Sequence, residues 1–178
     1  GQNQAFSTAT VVAGRNFCNK LWNIARFIEP HLEKGSLSKP KPVTIADHWI
    51  LSRLDLARKQ IDKLMSEYRF AEAADTVYHT IWHDLADWYL EASKDTPNAG
   101  VLGWALETAL KLAHPFAPFV TETIWTTLDG ERPLLIASPW PKKPEYDTIA
   151  AAEFEKMQEL VLETRFVSGE LPGGKQTL

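Results

Sequence analysis

The sequence predicts an all-α protein, an antiparallel helix bundle, and three observations carry that expectation. Long stretches place apolar residues three and four apart, the period of a helix with one buried side. Short turns rich in Pro, Gly, Asn and Asp separate them, and short connections make successive helices antiparallel. Nothing reads as a central strand: the one extended-looking stretch, LLIASPWP, contains prolines, which cannot donate to a sheet ladder.

The first helix is expected from about Thr8 to Glu29 and stops at Pro30, which lacks an N–H and restricts the residue before it. HLEKGSLSKPKPV reads as a loop. Thr44 or Asp47 caps a second helix, about Ala46 to Tyr68, with Ile50, Leu54, Ile61, Leu64 and Met65 inward. A third helix spans about Phe70 to Lys94, with a core stripe of Ala74, Tyr78, Ile81, Leu85, Trp88 and Ala92. DTPNAG turns the chain into a fourth helix, about Val101 to Ala113, which HPFAPF breaks. A helix over about Val120 to Leu128 ends at DGERP, and a last one covers about Ile149 to Phe166. There is no internal repeat and no low-complexity tract.

Composition narrows the class. The chain has 178 residues, 44% of them hydrophobic and 24% charged, which suits one domain with a sizeable core, or one domain and part of another. No apolar run reaches the roughly 18 residues of a membrane span. GQNQAFSTAT has neither the basic flank nor the apolar stretch of a signal peptide. The single cysteine, Cys18, forms no internal disulfide and fits a reducing, cytoplasmic setting. Charge is unevenly spread. Residues 1–44 carry six basic side chains against two acidic ones, the remainder thirteen against twenty-one. A basic patch on an acidic body directs a polyanion to one place.

The stretch GRNFCNKLWNIARFI, Gly14 to Ile28, sits in that basic segment. On a helix, Phe17, Leu21, Ile24 and Ile28 share one side, the core side. Arg15, Asn19 and Arg26 lie opposite. Asn16, Lys20, Asn23 and Phe27 form a neighbouring stripe. Periodicity alone allows a solvated face, with Phe27 packed on a neighbour. The same side chains are also the parts that hold single-stranded RNA: cations meet phosphates, aromatics stack on splayed bases, and amides bond to base edges.

That stretch resembles the first helix of the anticodon-binding domain of valyl-tRNA synthetase, a class I aminoacyl-tRNA synthetase. Further pieces follow in that family's order: ADHWILSRL, then YRFAEAADTVYHTIWHDLADWYLEASK, then LKLAHPFAPFVTETIW, then ASPWP. Together they cover about residues 1 to 165. The resemblance implies an all-α antiparallel bundle of the class I anticodon-binding type over residues 1–145, with 146–178 beginning a C-terminal junction segment. It implies the anticodon loop of valine tRNA as partner, bound by Asn16, Asn19, Lys20, Asn23, Arg26 and Phe27, with Lys20 and Phe27 the positions most directly carried over. Valine codons fix A and C as the middle and third anticodon bases. Where relatives carry a basic residue six positions before the motif arginine, this chain has Ala9. The parent enzyme attaches valine to tRNA with ATP on a separate catalytic domain, which is the other implied partner.

No catalytic residue, cofactor site or metal site is expected in this chain itself. The class I ATP-site motifs do not occur; EKMQEL shares two letters with one of them, inside a helix. GELPGGKQ has the spacing of a phosphate-binding loop, but Gln176 stands where Ser or Thr must hold magnesium. Asp75, His79, His83 and Asp87 are spaced by four, a candidate zinc stripe, but such a stripe drifts around a straight α-helix and reads better as a solvated face. Cys18 has no histidine near it in sequence. His114 closes the fourth helix, where it can interact with the carbonyl end. Two alternatives to valine tRNA binding remain at this point: the anticodon domain of the isoleucine enzyme, and a helical protein-interaction module anchored by Trp22, Phe27 and Trp104.

Overall fold

The structure, a computed structural model, describes residues 8–32, 40–129 and 133–170, with side chains through 166. Among these residues it is helical, without strands. α1 (Thr8–Ile28) runs into a 3-10 turn over Glu29–His31 that accommodates Pro30 in its first turn. α2 (Ile45–Ser66) starts at Thr44 with a complete capping box: the Thr44 hydroxyl accepts from Asp47 N–H, and the Asp47 carboxylate accepts from Thr44 N–H. It ends in a Schellman motif. Arg69 N–H donates to Leu64 C=O and Tyr68 N–H to Met65 C=O, with Tyr68 at φ 58°, the left-handed position usually held by glycine.

α3 covers 70–92 and differs from the expected regular helix. Its middle, Thr80–Tyr89, is wound in wide π turns, and Leu90 N–H donates five residues back to Leu85 C=O. A wide turn takes in nearly one more residue, so its backward drift offsets the forward drift of the α turns before it. The buried series is therefore Ala73, Val77, Ile81, Leu85 and Tyr89. Of the stripe expected from a 3.6-residue period, Ile81 and Leu85 are buried, Ala74, Tyr78 and Trp88 are half-buried, and Ala92 is exposed.

α4 (Ala99–Ala113), capped by the Asn98 side chain, is the central helix: Val101, Leu102, Ala105, Leu106, Ala109, Leu110, Leu112 and Ala113 are all buried. α5 (Pro118–Leu128) follows one turn later, with Pro118 in its first turn, where its missing N–H costs nothing. His114 Nδ1 lies 2.9 Å from Thr121 Oγ1, so it ties the α4 end to α5. LLIASPWP forms a short 3-10 turn (Leu135–Ala137) and then leads into an extended strap that joins no sheet. Trp140 Nε1 donates to Asp62 at 2.6 Å, the Tyr146 hydroxyl to Asp55 at 3.3 Å, and Asp147 N–H to His48 at 2.9 Å, so the strap retraces α2 towards its start. α6 (Thr148–Glu170) then packs along α2. The boundary expected after residue 145 falls just before α6, whose Ala151 and Phe154 lie in the common core, with the Phe154 ring 4.9 Å from that of Trp49.

α2 packs on α3, α4 and α6, and α1 on the other side of the bundle against α4, α5 and the wide turns of α3. That placement leaves α1 with one side in the core and one side outward. Among the described residues, no helix is long and apolar enough to cross a membrane.

Candidate nucleic-acid interface

α1 buries Leu21, Ile24, Ala25 and Ile28. Four of the six residues expected to meet RNA, Asn16, Asn19, Asn23 and Arg26, are exposed on its outer side. Arg15 and Arg26 form no ion pair among the described residues. Asn16 and Asn23 flank Lys20 by one turn on either side, so the three side chains form a continuous strip. Lys34 and Lys39, which contribute to the basic segment, lie outside the described residues.

Lys20 and Phe27 are placed differently from a freely solvated stripe. Lys20 Nζ donates to Asp87 Oδ1 at 2.9 Å and lies 5.0 Å from the centre of the Trp82 ring. Phe27 is half-buried at the rim of the core, with its ring 5.7 Å from that of His31. The reason is the width of the apolar stripe: Ala25 and Ile28 are buried beside it, and a ring at the edge of that stripe folds over its neighbours. Phe17, expected in the core, is also at the rim, 5.6 Å from Tyr78.

These contacts join α1 to a ladder of rings on α3. Tyr78 and Trp82 stack at 5.2 Å, and His79 and His83 stack beside them at 5.4 Å. His83 Nδ1 lies 3.1 Å from Asp87 Oδ2, and His79 Nε2 lies 3.4 Å from Asp75. The Asp75–His79 step lies in ordinary α turns and the His83–Asp87 step in the wide ones. Each imidazole faces its own carboxylate, and no group of three or more His, Cys, Asp or Glu side chains among the described residues is placed to hold a metal. Asp87, Trp82, Tyr78 and His83 are the residues that sequence reasoning did not attach to α1. A cross-helix pair 67 positions apart leaves no periodic signal in a single sequence.

Behind this surface further polar pairs tie the helices together. Arg53 Nε donates to Asp84 at 2.9 Å; burial pushes the Asp84 carboxyl up, and Arg53 pulls against it. The Tyr89 hydroxyl, raised by burial and by the charge of Asp47, donates to the Asp47 carboxylate at 2.7 Å. Cys18 is half-buried and unpaired in any disulfide. Gly174 and Lys175 of the glycine-rich GELPGGKQ stretch lie outside the described residues.

The bundle thus turns outward one helix that carries exposed amides and a cation. A family profile described as the anticodon-binding domain of tRNA ligase matches residues 47–171, and the chain belongs to that family. The match begins in the α2 capping box, so α1 lies outside it. The relatives are more particular. The chain is 40% identical over 174 residues to the valine–tRNA ligase of Geobacillus stearothermophilus, covering 88% of this chain. It is 41% identical over 170 residues to that of Geobacillus kaustophilus, covering 86%, and 39% identical over 167 residues to that of Streptomyces avermitilis, covering 87%. In each case the chain spans 19% of the relative's length.

Proposed function

We propose that this chain binds the anticodon stem-loop of valine tRNA, as the anticodon-binding part of a valine–tRNA ligase. The observation that carries this reading is the outward side of α1: Asn16, Asn19, Asn23 and Arg26 are exposed together, without mutual pairing, while the other side of the same helix is locked in the core. Exposed amides read base edges and unpaired cations meet phosphates. Lys20 and the rim-lying Phe27 complete the contact, Phe27 through the exposed part of its ring. In this reading residues 1–145 are the binding bundle and 146–178 begin a junction segment, whose α6 packs back along α2.

In this reading the whole protein works in the cytoplasm and joins valine to tRNA at the expense of ATP. The catalytic domain that does so would be this chain's second partner. The chain by itself holds no cofactor and catalyses nothing; it selects which tRNA presents its acceptor end.

The test is a titration of the purified chain with valine and isoleucine anticodon stem-loops at two salt concentrations. Tighter binding of the valine loop, weakening as salt rises, is the expected result. Equal binding of both loops, or preference for the isoleucine loop, refutes the assignment. Salt-insensitive failure to bind either one favours a protein-interaction module instead.

A further inference from the structure

The ring ladder on α3 sets beside α1 a second kind of polar group, one whose charge is not fixed. His79 and His83 stack at 5.4 Å, and their side chains are 59% and 52% exposed. Each turns one ring nitrogen to a carboxylate, His79 Nε2 to Asp75 and His83 Nδ1 to Asp87. The opposite ring nitrogen of each makes no hydrogen bond among the described residues. Asp87 is shared: its other oxygen holds Lys20 at 2.9 Å, so the α3 histidines and the α1 lysine belong to one cluster.

Histidine is the side chain that changes charge between about pH 5 and 8. While both imidazoles are neutral, two carboxylates face one ammonium, and the cluster is one charge negative beside a face that meets phosphates in the reading above. Once both are protonated it is one charge positive. Each imidazolium then has a second N–H to give, because both ring nitrogens donate. Protonated His83 also competes with Lys20 for Asp87, which frees the ammonium for a phosphate. The other charged neighbours are Asp84 on α3, which feels the charge of His83, Arg53 of α2, which pairs with Asp84, and Glu155 of α6, which acts on the same carboxyl. Two stacked imidazoliums repel one another, so their protons add in two steps. We propose that His79 and His83 are phosphate contacts made only in the protonated form, so that RNA binding by this chain takes up protons and strengthens as pH falls. The inference rests on the anticodon reading for its ligand, but not on which tRNA is bound.

The experiment titrates the full 178-residue chain with the valine anticodon stem-loop at about pH 8 and about pH 6, at one low salt concentration. Affinity should rise by about fivefold towards the lower pH, the worth of one unit charge at contact distance in water. Calorimetry of the same binding in two buffers of different ionisation enthalpy should show net proton uptake, the reciprocal of that rise. The double variant His79→Gln with His83→Gln keeps hydrogen-bonding side chains without a titrating charge, and should flatten the pH dependence. His83→Gln alone should remove the larger share, since Asp87 joins it to Lys20. Both positions are exposed, so these variants should fold. His31, whose ring lies beside that of Phe27, is the control: His31→Gln should keep the dependence. An affinity flat with pH, a double variant that keeps the rise, or a rise lost in His31→Gln overturns the inference and leaves the anticodon reading standing as long as the valine loop is preferred. Failure to bind any loop at either pH sinks the anticodon reading and takes the inference with it.

Discussion

Two polar clusters, one inside the bundle and one on its surface, use the same chemistry to opposite ends. Inside, Asp47 is 2% exposed and accepts from Val43 N–H, Thr44 N–H, the Asn98 amide and the Tyr89 hydroxyl. Asn98 also donates to Lys41 C=O and caps α4. Four donors converge on the carboxylate, three on Oδ2 and one on Oδ1, and the node welds the starts of α2 and α4 to the end of α3. Outside, Lys20 and Asp87 hold one another with sites to spare, among exposed amides and an unpaired arginine. A buried carboxylate must be saturated because each missing bond costs its desolvation. A surface cluster left unsaturated at low cost is free to bond something else.

If the inner cluster is structural, breaking it should cost most. Asp47→Ala removes the capping box and leaves the Tyr89 hydroxyl and the Asn98 amide without their acceptor. A loss of at least about 3 kcal/mol is expected in chemical unfolding. RNA binding by the fraction that stays folded should be unchanged, since no α1 surface residue touches the node. A small loss of stability would mean that the node is less closed than its geometry says.

Phe27 tests the border between the two kinds of region. Its half-burial predicts a stability cost of about 2 kcal/mol for Phe27→Ala, below the full cost of a buried phenylalanine. The same variant should bind the valine loop more weakly, by roughly 1–3 kcal/mol for a lost stacking contact. Phe27→Tyr should keep most of both. A melting change without a binding change would make Phe27 a core residue alone and shrink the interface to the strip around Lys20.

Tyr89→Phe probes the node more gently. It deletes one hydroxyl donor and leaves Asp47 three partners, so a loss of about 1–2 kcal/mol is expected, again with unaltered RNA binding.

The contrast was only partly readable from the sequence. Helix positions were legible because capping and breaking residues are local: Thr44 and Asp47 bracket the α2 start, Pro30 and Pro118 mark turns, and each acts within a few residues of itself. The family and the α1 core residues Leu21, Ile24 and Ile28 followed from motif and period. The winding of α3 did not, because a period of 3.6 does not hold through Thr80–Tyr89, where the turns are wider. The partners of Lys20 were hidden for a related reason. Asp87 and Trp82 meet it only once α1 and α3 are packed, and their spacing on α3 reads equally well as a solvated face. The same holds for Asp47, visible as a cap but not as the acceptor of Tyr89 and Asn98, which lie 42 and 51 positions away.

Arg26 should show the smallest effect on the fold and a clean one on binding. It sits on the outer side of α1, one turn from Trp22 and Asn23, and has no ion-pair partner among the described residues to lose. Arg26→Ala should therefore leave the melting temperature essentially unchanged, as exposed substitutions do. A guanidinium that neutralises a phosphate releases a counterion, so its removal should flatten the slope of log affinity against log salt by about 0.7 for a single-stranded loop. The weakening should be alike for the valine loop and for loops with exchanged bases, because a phosphate carries no sequence. An Arg26 variant that changes the ranking would make Arg26 a reader of bases; an unchanged slope would take Arg26 off the RNA backbone.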